Sequence, residues 1–187
     1  MADQGSEGLL SPYLRRKRFE AAAPYLRGRI LDFGCGSGGL AALVHADQYL
    51  GVERDRVSLL EANSRFPKHH FTSESPNVSD TFDSIVSLAV IEHVTDPAQF
   101  LRTLAGWLNN TPTSRIVVTT PHPSVNWIHD VGAALGIFSK HANEEHEELL
   151  DRAKLEQAGN QAGMRLVTYY RFLFGTNQVA VYAKGLL

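Results

Sequence analysis

The chain has 187 residues, of which 43% are hydrophobic and 20% are charged, and this balance is typical of a folded globular domain rather than a disordered segment. Its formal net charge of −2 argues against a general polyanion-binding surface, and therefore against nucleic acid as a partner. A membrane span is not predicted, because no hydrophobic run approaches the roughly 20 residues that cross a bilayer.

The first predicted element is a helix from Pro12 to Tyr25, with Ser11 as its N-cap. It carries four consecutive basic residues, Arg15 to Arg18. Successive side chains of a helix point in different directions, so these four cannot form one compact patch. A solvated helix face is the favoured interpretation, and docking onto a nucleic acid or an acidic substrate is the alternative.

A glycine-rich turn follows the first predicted strand, Arg29 to Phe33, and a helix from Leu40 to His45 is predicted after it. A strand, a glycine turn and a helix form the opening of a βαβ nucleotide site. Glycine accepts a positive φ cheaply, and its missing Cβ lets a ligand lie against the backbone. Asp32, at the end of the strand, would repel a pyrophosphate and attract an ammonium or a sulfonium group.

The glycines fit two ligand classes. Gly34, Gly36 and Gly39 match the dinucleotide pattern G-x-G-x-x-G, whereas Asp32 with Gly34, Gly36 and Gly38 matches an acid-x-G-x-G-x-G loop. A second predicted strand, from Tyr49, ends in Glu53. A carboxylate at this position can accept both hydroxyls of a ribose, so it suits either kind of adenosine-containing cofactor.

Strands and helices alternate along the middle of the chain. The predicted elements are a helix at Asp55–Arg65, strands at His69–Thr72 and Phe82–Leu88, a helix at Ala98–Leu108 and a strand at Arg115–Thr120. The hydrophobic period of Ser124 to Phe138 predicts another helix, within a stretch at 122–150 that we interpret as a lid or a substrate-side insertion. Plain core packing of that helix is the alternative.

The last third of the chain predicts a helix capped by Asp151 and ending near Gly163, followed by two strand-like runs. These runs, Arg165–Phe174 and Gln178–Lys184, are joined by a hairpin-type turn at residues 175–177. A parallel sheet that finishes in an antiparallel hairpin is not what a dinucleotide fold requires.

The glycine loop, read as Leu-Asp-x-Gly-x-Gly-x-Gly, resembles that of class I S-adenosylmethionine-dependent methyltransferases. Phe82-Asp83 followed by Ala89-Val90-Ile91-Glu92-His93-Val94 is similar to a pattern in the type 11 and ubiquinone-biosynthesis methyltransferases. Residues 119–123, Thr-Thr-Pro-His-Pro, resemble the turn after strand five in the same proteins. The resemblance extends from Tyr13 to Lys184, and it is specific for fold and cofactor but not for substrate.

The resemblance implies an α/β fold, a Rossmann-like three-layer αβα sandwich with a seven-stranded, mostly parallel sheet and an antiparallel C-terminal hairpin strand. Residues 1–187 would form a single methyltransferase domain, with 1–28 as its N-terminal helical segment. The implied cofactor is S-adenosyl-L-methionine, with S-adenosyl-L-homocysteine as its product. The expected reaction transfers the methyl group to a small-molecule acceptor, at an oxygen atom.

The same resemblance implies which residues bind the cofactor. The methionine moiety would lie on the glycine loop and the ribose on Glu53. The family's adenine-binding Asp is replaced here by Thr72-Ser73-Glu74, so Glu74 or Ser73 would take its place. The full set is Asp32, Phe33, Gly34, Cys35, Gly36, Gly38, Glu53, Arg54, Glu74 and Leu88.

His93 is the first candidate for the general base, because an imidazole exchanges protons near neutral pH and an oxygen acceptor must lose its proton. A structural histidine bonded to the backbone is an equally weighted interpretation. His122 and His141 rank behind it. The histidines lack metal-ligand spacing, so no metal site is predicted.

Two other functions stay open from the sequence alone. One is an NAD(P)-dependent reductase that uses the same glycine loop, and Asp32 and the terminal hairpin argue against it. The other is a non-catalytic methyltransferase-fold protein that acts by binding a partner, and the intact loop and Glu53 argue against that. The single cysteine, Cys35, fits a reducing compartment, so we expect a cytoplasmic protein, with a homodimer left open.

Overall fold

A computed structural model describes residues 11–124 and 150–185 of the chain. The predicted lid at 122–150, with its helix and His141, lies almost wholly outside these described residues. The helices are α1 (Ser11–Ala22), α2 (Arg56–Arg65), α3 (Pro97–Trp107) and α4 (Arg152–Gln161). The strands are β1 (Ile30–Phe33), β2 (Tyr49–Val52), β3 (His70–Thr72), β4 (Ser84–Leu88), β5 (Arg115–Pro121), β6 (Met164–Phe172) and β7 (Asn177–Lys184).

The seven strands form one sheet in the order β3-β2-β1-β4-β5-β7-β6. The first five strands are parallel to one another, and β7 pairs antiparallel with both β5 and β6. The predicted parallel sheet with an antiparallel C-terminal hairpin is therefore confirmed. In such a sheet the loops after β1, β2, β4 and β5 meet at one edge, where open α/β sheets bind ligands.

Helices cover both faces of the sheet and give three layers. On one face Ala22 of α1 packs with Ile30, Val86 and Val117. On the other face Leu101 of α3 and Leu155 of α4 pack with the alternate residues of the same strands, which form the largest apolar cluster. No helix among the described residues is both long enough and apolar enough to cross a bilayer.

The predicted helix at Leu40–His45 is wrong. The chain instead makes two short 3₁₀ turns, Gly39–Leu43 and Ala46–Gln48. After the glycine loop only residues 39–48 remain to reach the start of β2. A 3₁₀ turn rises about 2.0 Å per residue where an α-helix rises about 1.5 Å, so it spans more distance with the same few residues. The 3₁₀ turn still buries Leu40.

Two other predicted boundaries move for local reasons. The N-terminal helix ends at Ala22 and continues as a 3₁₀ turn, Ala23–Tyr25, because Pro24 cannot donate a helical hydrogen bond. The β6–β7 turn begins before Gly175, since Leu173 and Phe174 already have positive φ angles of 52° and 54°.

The buried phenol of Tyr182 gives a test of the packing under α4. Its hydroxyl donates to the Leu155 carbonyl at 2.9 Å, and its side chain is fully buried. We expect Tyr182→Phe to lower the free energy of unfolding by about 1 to 2 kcal/mol, because the carbonyl is left without that donor. Tyr13→Phe, at a residue that is 43% exposed, is the matched control. Urea denaturation measures both, and equal stability of the two variants would contradict this packing.

Candidate functional site

The glycine loop is fastened to the end of the neighbouring strand. The backbone N–H groups of Gly34 and Cys35 both donate to the Val52 carbonyl, at 2.8 and 3.1 Å. β1 and β2 are parallel and in register here, with Phe33 opposite Val52. The loop therefore begins at the point where the carboxyl ends of both strands meet.

Gly36 and Gly38 are required for different reasons. Both have positive φ angles, 53° and 75°, which L side chains rarely adopt. A Cβ on Gly38 would lie 2.8 Å from the Phe71 ring, so the packing behind the loop demands glycine there. A Cβ on Gly36 would meet no atom within 4 Å, so this side of the loop faces open space that a ligand can fill.

Glu53 closes the loop from the end of β2. Its Oε2 accepts from the Gly36 N–H at 2.8 Å, and its Oε1 accepts from the Asp55 N–H at 2.9 Å. Each carboxylate oxygen keeps a further lone pair for a ligand hydroxyl. Glu53 and the glycine loop, which the sequence predicts to share one site, are thus in direct contact.

Asp32 lies beneath the loop and is only 3% exposed. Its Oδ2 accepts a hydrogen bond of 2.7 Å from the Tyr49 hydroxyl, a partner that sequence reasoning missed. The pKa of Asp32 is raised to about 7. Burial is the largest cause, the hydrogen bond from Tyr49 opposes it, and the charge of Glu53 adds to the rise. A cation bound above the loop would favour the ionised carboxylate.

The side chain of Cys35 packs against Gly51, and its Sγ lies 2.9 Å from the point where a Cβ added to Gly51 would be. Burial, followed by the charges of Asp32 and Glu53, raises the pKa of its thiol well above the usual value. The thiol therefore stays protonated at neutral pH and does not act as a nucleophile. Its place in the site is that of a packing residue behind the loop.

The other predicted cofactor residues lie in different surroundings. The ring of Phe33 packs on the face of the sheet that α3 covers, where its centroid is 5.9 Å from that of Phe100. The Phe33 carbonyl accepts a hydrogen bond from the Ser87 hydroxyl. Leu88 is half-buried at the carboxyl end of β4, and Arg54 is exposed. Glu74 lines a cleft of about 470 Å³ whose lining contains no residue of the glycine loop.

Two arginines from different helices meet the loop from outside. Arg15 of α1 and Arg65 of α2 both donate to the Ser37 hydroxyl, at 3.3 and 3.2 Å. The interpretation of the basic run as a solvated face holds for Lys17, which pairs with Glu20 on α1. It is wrong for Arg15, which points to the glycine loop.

Arg18 also points inward from α1, where its Nε donates to the Asn177 side chain at 3.2 Å. Arg15 and Arg18 are three residues apart, and this spacing places two side chains on one helix face. The sequence therefore contained this spacing, because Arg15 and Arg18 form a pair on one face even though the four basic residues of the run do not form one patch.

The segment after β4 brings an acid to the same edge. Glu92 is 8% exposed, and burial raises the pKa of its carboxyl, opposed by a backbone hydrogen bond and the nearby charges of His93 and Arg18. His93 beside it is exposed. His122, a second-rank candidate, shares a hydrogen bond of 2.9 Å between its Nδ1 and the Ser124 hydroxyl.

Within residues 11–124 and 150–185, no group of three or more His, Cys, Asp or Glu side chains is arranged to hold a metal ion.

Comparison with known families agrees with this geometry. A family model described as a methyltransferase domain matches residues 9–169 of the chain. This match includes β1 to β5, the glycine loop, Glu53 and the segment that carries Glu92.

Two curated proteins are similar over part of their length. A probable S-adenosylmethionine-dependent methyltransferase of Mycobacterium tuberculosis is 31% identical over 111 residues, which are 56% of this chain and 40% of that protein. A ubiquinone biosynthesis O-methyltransferase of Rhodopseudomonas palustris is 28% identical over 147 residues, which are 71% of this chain and 56% of that protein. The chain thus spans about half the length, or less, of these relatives.

A solved structure shares the fold. The magnesium protoporphyrin IX methyltransferase of Synechocystis, with bound S-adenosylhomocysteine, has a TM-score of 0.69 at 12% sequence identity, over 97% of this chain and 89% of that chain. At this identity the likeness shows the architecture, including the sheet edge on which the glycine loop lies.

The open side of Gly36 gives a direct test of ligand placement. We expect Gly36→Ala to weaken S-adenosylhomocysteine binding by at least about tenfold, because the methyl group enters the space above the loop. The positive φ would lower the free energy of unfolding by about 1 kcal/mol. Gly106→Ala, on α3, also meets no atom within 4 Å and is the matched control. Calorimetric titration measures the affinity, and an unchanged Kd would contradict this placement.

The position of Asp32 predicts a pH dependence. The carboxyl is largely protonated below its pKa of about 7 and ionised above it. S-adenosylmethionine carries a permanent positive charge on sulfur, so its affinity should rise by up to about tenfold between pH 6 and pH 8. Tyr49→Phe should move the midpoint upward, because the lost hydrogen bond favours the ionised form.

Asp32→Asn, measured in parallel, subtracts any titration of the ligand itself. Its affinity should stay flat over the interval in which the unmodified protein changes. Identical pH profiles for the two proteins would show that Asp32 does not act on the ligand.

Proposed function

The chain belongs to the class I S-adenosylmethionine-dependent methyltransferase family, and on that premise we propose that it transfers a methyl group to an oxygen atom of a small-molecule acceptor. The observation that carries this proposal is the contact between Glu53 and the Gly36 N–H, beside the open side of the loop. This contact supports the proposal because an acid that could bind a ribose lies against a backbone that has no side chain.

The residues present fit the cofactor. Space above Gly36 would receive the methionine part, and the free lone pairs of Glu53 would accept the ribose hydroxyls. Asp32 would favour the cationic end from below, and Arg15, on the outer side of the loop, would reach the carboxylate. S-adenosylmethionine supplies, when bound, a methyl group that is already activated by its sulfonium.

The contribution of the protein to such a reaction is alignment. The loop is fixed by hydrogen bonds to Val52 and Glu53, so a ligand lying on it is held in one orientation. A nucleophile fixed in line with the methyl group gains most of its rate from that positioning. The carboxyl end of β4 lies next to β1, with that of β5 beyond it, and the two would provide the remaining walls.

Loss of the acceptor's proton is assigned to the segment after β4. His93 is our candidate base, because its imidazole is exposed in the 3₁₀ turn that follows β4. Glu92, whose raised pKa makes its carboxylate a better proton acceptor, lies next to it and would hold the acceptor's hydroxyl. The choice of oxygen is supported by the ubiquinone biosynthesis O-methyltransferase among the relatives.

An NAD(P)-dependent reductase and a non-catalytic binding protein each fit the site less well. Family membership sets aside the NAD(P)-dependent reductase, and Asp32 beneath the loop is unsuited to a pyrophosphate. A non-catalytic binding protein would not need Glu53 against the loop. Turnover distinguishes it from an enzyme.

Binding of cofactor is the first experiment. S-adenosylhomocysteine should bind with a Kd of about 1 to 100 µM, whereas NADH should give no measurable heat. Glu53→Ala should weaken the binding by at least about tenfold. Glu156→Ala, an exposed acid on α4, is the matched control and should leave the Kd unchanged. Binding of NADH without S-adenosylhomocysteine would reverse the assignment.

A further inference from the structure

Three buried polar atoms near the carboxyl end of β5 have no hydrogen-bond partner among the described residues, and they belong to Glu92, Thr119 and Thr120. Resting on the methyltransferase function proposed above, we propose that these groups form an acceptor subsite that selects a hydroxy acid, with its carboxylate on Arg18 and its reacting hydroxyl toward Glu92. The subsite is distinct from the glycine loop, which receives the cofactor.

Arg18 is the group that would bind an anion. Its Nε donates to Asn177 at 3.2 Å, and this is the one hydrogen bond that its guanidinium makes with the described residues. Burial, with a smaller contribution from Arg15, lowers the pKa of the guanidinium, while Glu92 raises it. The two terminal nitrogens are therefore partly desolvated and keep their fork of donors for another group.

Glu92 supplies the complementary half. The carboxylate is 8% exposed, and its Oε2 has no hydrogen-bond partner within residues 11–124 and 150–185. Glu92 and Arg18 act on each other electrostatically, but no N–O distance between them falls within the 4.0 Å of an ion pair. Arg18 is half-buried and Glu92 is buried, so a ligand that carries both an anionic group and a hydroxyl would give each of them a partner.

Two buried hydroxyls lie near these charges, and Arg18, Glu92, Thr119 and Thr120 are together called the ring. Thr119 and Thr120, at the end of β5, are fully buried, and their Oγ1 atoms have no hydrogen-bond partner within 3.5 Å among the described residues. Successive residues of a strand point to opposite faces, so Thr119 faces the layer of α1 while Thr120 faces that of Glu92. The Thr120 hydroxyl lies close enough to lower the pKa of Glu92.

The position of this ring suits an acceptor. Asn177 pairs with Pro121 at the end of β5, so the bond from Arg18 ties α1 to this edge of the sheet. β5 is the neighbour of β4, which is the neighbour of β1. The ring is therefore two strands away from the glycine loop, along the same ligand-binding edge.

The chemistry of the ring selects one class of molecule. A guanidinium fork matches a carboxylate in two parallel hydrogen bonds, which a neutral group cannot form. A buried carboxylate with a free oxygen accepts from a hydroxyl and would otherwise stay desolvated without a partner. An acceptor that carries both groups satisfies both ends, whereas the methyl ester of the same acid leaves Arg18 unpaired.

The test uses 2-, 3- and 4-hydroxybenzoate and their methyl esters, titrated into the full chain with and without S-adenosylhomocysteine. The three isomers vary the separation between carboxylate and hydroxyl. At least one acid should bind with a Kd below about 1 mM, and its ester should bind at least about tenfold more weakly. The titrations without cofactor detect recognition of the acid even if the proposed function fails.

Arg18→Met should remove the preference for the acid and leave the Kd of S-adenosylhomocysteine unchanged. Arg18→Lys keeps the charge without the fork and should retain only part of the preference. Arg16→Met, on the solvent side of α1, is the matched control and should behave as the unmodified protein. A thermal melt confirms that each variant is folded.

Three results would overturn the subsite. They are equal binding of acid and ester, no binding of any of the acids, or an acid preference that survives Arg18→Met. A loss of S-adenosylhomocysteine affinity in Arg18→Met would assign the arginine to the cofactor instead. Failure of the unmodified protein to bind S-adenosylhomocysteine would count against the proposed function alone.

Discussion

The hydrogen bonds between the glycine loop and the end of β2 are the constraint on which the site depends. Gly34 and Cys35 donate to Val52, and Gly36 donates to the side chain of Glu53. A loop of glycines is otherwise flexible, because each residue has many allowed conformations. These bonds select one conformation and present the open face of Gly36 beside an acid.

Charge divides the ligand-binding edge into two regions. Asp32 and Glu53 place negative charge beneath and beside the loop, where a cationic methyl donor gains from it. Arg15 and Arg18, three residues apart on α1, place positive charge on the side toward the loop and toward β5. A donor with a positive sulfur and an acceptor with a negative group would each meet the complementary charge, at the ends of β1 and β5 with β4 between them.

The fold was predictable from the sequence, because it depends on local patterns. Alternating strands and the terminal hairpin predicted the sheet, and Asp151 was predicted as a helix cap. The bond from Tyr49 to Asp32 was not predictable, since it depends on how distant segments pack. The spacing of Arg15 and Arg18 placed both on one helix face, but that Arg18 contacts Asn177 also depends on distant packing. The 3₁₀ turn after the loop was missed because its hydrophobic spacing also fits an α-helix.

A crystal structure of the protein with S-adenosylhomocysteine would show directly whether the ligand lies on the glycine loop. We expect both ribose hydroxyls at about 3 Å from the Glu53 carboxylate and the amino-acid part of the ligand over Gly36. A ligand bound at another edge of the sheet, or a glycine loop that must separate from Val52 to admit it, would show that the loop is not the binding site.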